Sequence, residues 1–201
     1  MTRKSLAAAL CLGAAAALVA AAAAPESKSK AAAGSSVERG RYLVTIMGCN
    51  DCHTPWKMGA NGLPEPDMAR MLSGHPEQMK LPPAPPPQGP WLAMFAATQT
   101  AFAGPWGVSY AINLTPDKNT GLGGGVWNEQ TFVKALRTGK HFGTSRPIMP
   151  PMPWMWTGKA TDDDLKSMWA YLQSIPPVVN HVPDWQEPKG APGAKAAPKK
   201  N

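Results

Sequence analysis

The feature that most constrains the fold of this chain is a C-x-x-C-H motif formed by Cys49, Cys52 and His53. This spacing is the attachment signature of a covalently bound c-type haem. Two residues between the thiols let both sulfurs reach one edge of a porphyrin, and the adjacent imidazole then reaches the iron as proximal ligand. We therefore expect the chain to fold around this group, with thioether bonds from Cys49 and Cys52 and with His53 on the iron.

Two other chemistries use paired cysteines, and the surrounding sequence favours neither. A zinc site needs four ligands, and the sequence has no second Cys pair or close His pair to complete the set. A thioredoxin-type dithiol would sit in an alternating pattern of strands and helices, which the sequence does not show. The motif occurs once and there is no internal repeat, so the sequence predicts one haem c, with its iron, per chain.

The first 24 residues have the composition of a secretory signal peptide. Arg3 and Lys4 precede an apolar run of Ala and Leu, and small residues follow up to Ala24. Pro25 is an awkward residue after a cut, so we expect cleavage slightly earlier, around Ala22 or Ala23, and a periplasmic protein. The alternative is an uncleaved membrane anchor, but the segment is mostly Ala and only weakly apolar.

The net charge of +7 over 201 residues could suggest nucleic acid or an acidic membrane as partner. The excess of basic residues, however, belongs to the two terminal segments. Between Ser36 and Asp184 the basic and acidic residues are nearly equal in number, and two haem propionates would make this body about neutral or slightly acidic. The sequence therefore predicts no nucleic-acid partner and, after cleavage of the signal, no stable membrane span.

The mature chain is long enough for one domain of about 150 residues between two tails. Residues 25–34, rich in Ala, Ser and Lys, predict a flexible leader. Residues 35–184 form the predicted folded domain. Residues 185–201, rich in Pro, Ala, Gly and Lys, predict a disordered basic tail.

The first predicted helix begins at Ser35 and runs into the C-x-x-C-H motif. Glu38 stands three residues after Ser35 and completes a capping box. Gly40 lies on the apolar side of this helix, where a Gly usually marks a close helix crossing.

Two further helices are predicted by their end signals. One spans Glu129 to Thr138, and the other begins at the N-cap Thr161, carries three aspartates in its first turn and stops before Pro176. Residues 57–104 have no sustained period and are dense in Pro, Gly and Met. The predicted fold class is therefore mainly α, with long Pro/Gly/Met-rich loops.

The order of these features resembles the class I c-type cytochromes: a helix, the motif, a long irregular middle, a Met in a Pro-rich loop and a final helix. The chain is also similar to the haem modules of cytochrome subunits from periplasmic alcohol and gluconate dehydrogenases. The matching residues are Asn113–Asp117, Thr120–Gly123, Trp127, Phe132, Arg137–Gly139 and Pro151–Trp154. The resemblance implies a cytochrome c-like helical domain around one covalent haem, with Gly40 meeting Met168 and Tyr171.

The chain departs from these modules in two ways. The resembled subunits usually carry three haem motifs, whereas this chain carries one. Its Met- and Pro-rich insert, residues 57–104, is also longer than such a module needs. These departures leave membership of a dehydrogenase complex open.

The second axial ligand is expected to be Met152, which has Pro on both sides and matches the Met of the resembled modules. A thioether on the iron raises its reduction potential relative to a second His. The loop before Trp127 is expected to wrap the haem edge, with Trp127 and Arg137 as donors to the propionates. Alternatives for the axial ligand, besides an open position, are Met149, Met155, His75, His141 and His181.

The function indicated is single-electron transfer between a periplasmic dehydrogenase and an acceptor, an oxidase or another cytochrome. The sequence shows no triad, phosphate loop or paired carboxylates near a His, so we expect a carrier rather than an enzyme. One alternative is a fixed haem subunit of a dehydrogenase complex. The other is an enzyme or gas sensor with an open iron position.

Overall fold

The computed structural model describes residues 26–84 and 90–188. The predicted signal, most of the predicted tail and residues 85–89 lie outside these ranges. The described helices are α1 (Glu26–Ile46), α2 (Cys49–His53), α3 (Glu129–Thr138), α4 (Trp154–Thr157) and α5 (Asp162–Ser174), with short 3-10 helices at Met68–Arg70 and His141–Gly143. The described strands are β1 (Trp56–Met58), β2 (Pro64–Pro66), β3 (Met94–Phe95), β4 (Ala101–Gly104) and β5 (Gly107–Tyr110).

Helices α1 and α5 cross at Gly40, as the sequence predicted. A Cβ atom at this position would collide with the carbonyl oxygen of Ser167 and would lie 2.8 Å from Tyr171 Cβ. The ion pair from Arg39 Nε to Asp164 Oδ1, 2.9 Å long, links the same two helices. The absence of a side chain at Gly40 therefore lets the two backbones touch, and Ser167 and Tyr171 of α5 lie closest to this position.

The predicted start of the first helix at Ser35 is wrong. Helix α1 begins at Glu26 and includes both Gly34 and Ser35. The preceding residues are rich in Ala, the strongest helix former, and this propensity carries the helix through the Gly. The capping box is therefore not a helix start, and residues 26–34, predicted as part of a flexible leader, are helical.

The ends of α3 and the start of α5 were predicted correctly. The Asn128 side chain accepts a hydrogen bond from the Thr131 backbone N–H, and Gly139 ends α3 in the left-handed region at φ 64°. Thr161 caps α5 by accepting from the Asp164 backbone N–H at 3.1 Å. These signals are local in sequence, which is why they could be recognised.

Residues 56–110, which include the insert, contain two small antiparallel sheets that were not predicted. Strand β1 pairs with β2, and β4 lies between β3 and β5. The outer edge of β5 also bonds to residue Gln186, because Val108 and Gln186 exchange two backbone hydrogen bonds of 2.9 Å each. Trp185 Nε1 adds a 2.7 Å bond to the Trp106 carbonyl. The predicted boundary at Asp184 is therefore too early, since composition alone does not reveal pairing with an open strand edge.

The hydrophobic core lies where α1, α3 and α5 meet. The buried core residues are Leu43, Val44, Leu72, Leu122, Phe132, Leu136, Leu165, Met168, Leu172 and Ile175.

Within residues 26–84 and 90–188, no helix has both the length and the apolar character that a membrane span requires.

Candidate haem-binding site

A cavity of about 540 Å³ lies beside the C-x-x-C-H motif. Cys49, Cys52 and His53 line it, and so does Met152 from the Pro-rich loop before α4. Its volume falls within the range of about 300–1,000 Å³ found for small-molecule and cofactor sites. Much of the remaining wall is apolar and includes Leu114, Leu122, Phe132, Leu136, Met168 and Leu172.

His53 is held in the form that can bind a metal. Its side chain is buried, and Nδ1 lies 2.8 Å from the Ile112 carbonyl oxygen. A carbonyl only accepts, so Nδ1 must carry the proton and Nε2 keeps its lone pair. Burial lowers the pKa of His53, and the bond to Ile112 opposes this only in part. The imidazole is therefore neutral at pH 7, as an iron ligand must be.

The helix that carries the motif is fixed at its C-terminal end. Thr54 is fully buried, and its hydroxyl donates to Asn50 Oδ1 at 2.8 Å while accepting from the Leu72 backbone N–H at 2.9 Å. The Gly74 backbone N–H bonds to the His53 carbonyl at 2.8 Å. These contacts tie α2 to the start of the insert and restrict the orientation of the His53 ring.

Both cysteines of the motif are free and partly buried. Burial raises the pKa of Cys49 to about 11, and burial together with the charge of Asp51 raises the pKa of Cys52. Both side chains are therefore protonated thiols at neutral pH. A thiol adds its S–H across a vinyl group to form a thioether, so these two side chains fit covalent haem attachment.

The structure narrows the choice of the second axial ligand. Met152 and Met149 both line the cavity, whereas Met155 is half exposed and lies outside it. His75 is fully buried away from the cavity, and its two ring nitrogens contact Thr100 Oγ1 at 2.9 Å and the Met79 carbonyl at 3.2 Å. His75 therefore has a structural role, and Met155 is too far toward solvent to serve.

His141 and His181 also line the cavity. Burial lowers the pKa of His141 to about 4; the nearby charge of Arg146 adds to this shift, and that of Asp184 opposes it. The His141 ring packs on Trp127 with a centroid distance of 5.5 Å and on Phe142 at 4.0 Å. The neutral ring is thus packed within an aromatic group at the cavity wall.

The two residues expected to donate to the haem propionates differ in their position relative to the cavity. Trp127 lines the cavity, but Arg137 does not. The Arg137 guanidinium instead bonds to the Gly158 carbonyl and to Asp162, so it joins the end of α3 to the start of α5. The prediction for Arg137 is wrong because its guanidinium donates hydrogen bonds to the Gly158 carbonyl and the Asp162 carboxylate, away from the cavity.

Arg146, which sequence reasoning missed, lines the cavity instead. Burial lowers its pKa, and the charge of Asp184 partly offsets this shift. In the described part of the chain, no carboxylate lies within 4.0 Å of its guanidinium. A half-buried cation without an ion-pair partner fits the anionic edge of a haem. The position of Arg146 directly before the Pro-rich loop was the one sequence signal that could have predicted its place at the cavity.

The loop from Asn113 to Trp127 forms one wall of the cavity. Its first residue is buried, and Asn113 Nδ2 donates to the Val178 carbonyl at 2.8 Å. Asn113 Oδ1 accepts from the Thr115 hydroxyl at 2.7 Å. These buried bonds anchor the wall to the segment that follows α5.

No cluster of three or more His, Cys, Asp or Glu side chains suited to a metal ion occurs among residues 26–84 and 90–188. A structural zinc site of the usual kind draws four ligands from such side chains. The donor set at the cavity is different, since it combines the imidazole of His53 with two thiols and with methionine thioethers. This set fits a haem, whose iron already has four porphyrin nitrogens, and does not fit a zinc ion.

The chain has relatives among proteins of known activity. It is 28% identical over 154 residues to the fructose dehydrogenase cytochrome subunit of Gluconobacter japonicus, which covers 76% of this chain and 24% of that protein. It is 26% identical over 152 residues to the cytochrome c subunit of the quinone alcohol dehydrogenase of Gluconobacter oxydans, covering 74% of this chain and 24% of that subunit. No family model matches the chain.

A third relative covers a shorter part of the chain. The cytochrome c subunit of the gluconate 2-dehydrogenase of Pantoea cypripedii is 36% identical over 80 residues, which are 38% of this chain and 17% of that subunit. The chain spans about a quarter or less of the length of these curated relatives. The comparisons thus relate the chain to the cytochrome c subunits of dehydrogenases.

Proposed function

We propose that this chain is a periplasmic single-haem c-type cytochrome that passes single electrons from a dehydrogenase to a downstream acceptor, an oxidase or another cytochrome. One observation carries the proposal. A single cavity is lined by the two thiols of the motif, by a neutral imidazole with its Nε2 lone pair available, and by the Met152 thioether. The relationship to dehydrogenase cytochrome subunits supports the same function.

In this proposal each residue has a separate role. Cys49 and Cys52 form the two thioether attachments, His53 binds the iron through Nε2, and Met152 binds it as the second axial ligand. When bound, the haem supplies a one-electron couple whose potential depends on the axial ligands and on burial. The apolar part of the cavity wall would limit the access of water to the bound haem.

The proposed fold is a cytochrome c-like helical domain. The crossing of α1 and α5 at Gly40, the motif on α2 and the Met152 loop shortly before α5 support this assignment. The two small sheets of the insert are additions to that helical framework. They leave the cavity bounded by helices, by the loop from Asn113 to Trp127 and by residues of β4 and β5.

The first test is whether the purified protein contains one covalent haem. The mature mass should exceed the apoprotein mass by one haem, and acid-acetone should not extract it. Reduced and oxidised visible spectra should show a low-spin c-type haem. The Cys52→Ser variant should retain at most one thioether and accumulate poorly. Free release of haem from the wild-type protein by acid-acetone would show that the central proposal is wrong.

A second candidate function is that of a fixed haem subunit within a dehydrogenase complex. It is favoured by the relatives, which are described as subunits of fructose, alcohol and gluconate dehydrogenases. Purification from the native membrane and periplasmic fractions separates the two candidates. A free carrier elutes alone at the mass of one chain, whereas a fixed subunit elutes with a large partner in constant ratio.

A further inference from the structure

Ser109 on β5 makes a close contact with the Pro-rich loop that carries Met152. Its side chain is buried, and Oγ lies 2.6 Å from the Pro150 carbonyl oxygen. A carbonyl only accepts, so the Ser109 hydroxyl donates its single proton to this oxygen. The Phe102 carbonyl is a more distant acceptor at 3.3 Å.

The orientation of the Ser109 hydroxyl is fixed by a tryptophan from the same hairpin. Trp106 Nε1 donates to Ser109 Oγ at 3.2 Å. An indole N–H only donates, so it occupies an acceptor position of the hydroxyl and leaves the proton directed at the loop. The Trp106 indole N–H therefore donates to the Ser109 hydroxyl, and this hydroxyl donates to the Pro150 carbonyl oxygen.

Within the described residues, the loop has few other hydrogen bonds that hold its position. Pro150, Pro151 and Pro153 carry no backbone N–H. Within the described residues, the other hydrogen bonds of residues 149–153 stay inside the segment 149–157. The Ser109 bond is thus the one that joins this part of the loop to a distant element in the described structure.

The strand that carries Ser109 is supported on both edges. Strand β4 pairs with β5 on one edge, and Gln186 bonds to Val108 on the other. Gly107 approaches the Gln186 carbonyl so closely that a Cβ atom would collide with it. This support gives the Ser109 hydroxyl a fixed position from which to hold the loop.

We propose that Ser109, oriented by Trp106, is a positioning residue for Met152. The bond to the Pro150 carbonyl holds the loop so that the thioether stays at the iron against competing ligands. This role rests on the proposed haem site and on Met152 as its axial ligand. It also gives the three-stranded sheet a function, because β3 and β4 of the insert, together with β5, support the loop.

The test is a titration of the ferric holoprotein with imidazole, which competes with the thioether for the iron. The measured signal is loss of the weak far-red band that arises from sulfur bound to ferric iron. We expect Ser109→Ala to bind imidazole about tenfold more tightly than the wild-type protein, the effect expected from loss of one buried hydrogen bond. Ser109→Thr keeps the hydroxyl and should restore the wild-type affinity. Trp106→Phe should give a smaller change in the same direction.

The matched control is Thr98→Val. Thr98 is buried in the same part of the insert and its hydroxyl accepts from Thr100 Oγ1 at 2.8 Å, away from the loop. This variant should lower the stability of the protein and leave the imidazole affinity unchanged. An equal change in Thr98→Val and Ser109→Ala would overturn the positioning role and indicate a general loosening of the insert.

The same measurement separates this inference from the proposed function. If the wild-type protein shows no sulfur-to-iron band, Met152 is not the ligand and both proposals about the loop are wrong. If the wild-type protein shows the band and Ser109→Ala binds imidazole with wild-type affinity, the positioning role alone is wrong. In that case the haem site and its ligands stand.

Discussion

Met152 differs from Met149, the other cavity-lining methionine of the Pro-rich loop, because it also packs against the hydrophobic core. Met149, three residues earlier, lines the cavity but is not among the described residues in contact with that core. A side chain held by the core has fewer orientations to lose when it binds iron. This difference in packing, together with its flanking prolines, supports Met152 over its neighbour.

Replacement of Met152 by Ala should therefore remove the axial thioether. The ferric sulfur-to-iron band should disappear, and the reduced protein should bind carbon monoxide. The reduction potential should fall, because water or a nearby His stabilises the ferric form more than a thioether does. Spectra and potentiometric titration measure these changes.

Met149→Ala is the matched control for Met152→Ala, since it removes the same side chain from the same loop. It should keep the band and resist carbon monoxide. The opposite result, a band lost only in Met149→Ala, would move the ligand to Met149 and leave the carrier function intact. If neither substitution has an effect, the iron has a His or an open position, and the enzyme or sensor alternative becomes the stronger one.

At the level of helices and strands, the crossing at Gly40 decides how α1 and α5 pack. Replacement of Gly by Ala in a helix normally gains up to about 1 kcal/mol of helix propensity. Here the added Cβ would strike the Ser167 carbonyl, and overpacking of this kind costs about 1–3 kcal/mol. We expect the steric cost to exceed the gain, so Gly40→Ala should lower the free energy of unfolding.

Denaturant unfolding of the holoprotein measures this effect. The control is Arg41→Ala, on the exposed side of α1, which breaks a pair with Glu38 only. Exposed pairs of this type contribute about 0.3–0.5 kcal/mol, so the control should change stability little. Equal stability of Gly40→Ala and the wild-type protein would mean that the helices can separate without loss of packing.

How far the sequence could predict each element depends on whether its signal is local. Helix α3 and the start of α5 were predictable because Asn128, Gly139 and Thr161 lie at the helix ends that they cap. The strands of the insert have two to four residues, too few for a period to show. The pairing of Val108 with Gln186 joins segments far apart in sequence, and neither segment contains a local signal that predicts it.

At the scale of the whole molecule, some residues of the cavity can be predicted from the sequence, whereas others reach it only through tertiary packing. The C-x-x-C-H motif predicts Cys49, Cys52 and His53 as the haem-binding residues, because covalent haem attachment requires these residues at a fixed spacing. Which arginine lies at the cavity depends on how α3, the Pro-rich loop and α5 pack. That packing directs Arg137 to Asp162 and places Arg146 at the wall, which no spacing rule contains.

The start of the mature chain decides whether α1 is complete in the exported protein. A cut around Ala22 or Ala23 would leave all of α1, from Glu26 onward, in the exported protein. This would preserve the crossing with α5. N-terminal sequencing of the haem-loaded periplasmic protein should therefore give a first residue between about Ala21 and Pro25, as expected from the small residues that end the signal. A protein that begins at Met1 and is recovered with the membrane fraction would instead establish the anchor, and the carrier would then work tethered to the membrane surface.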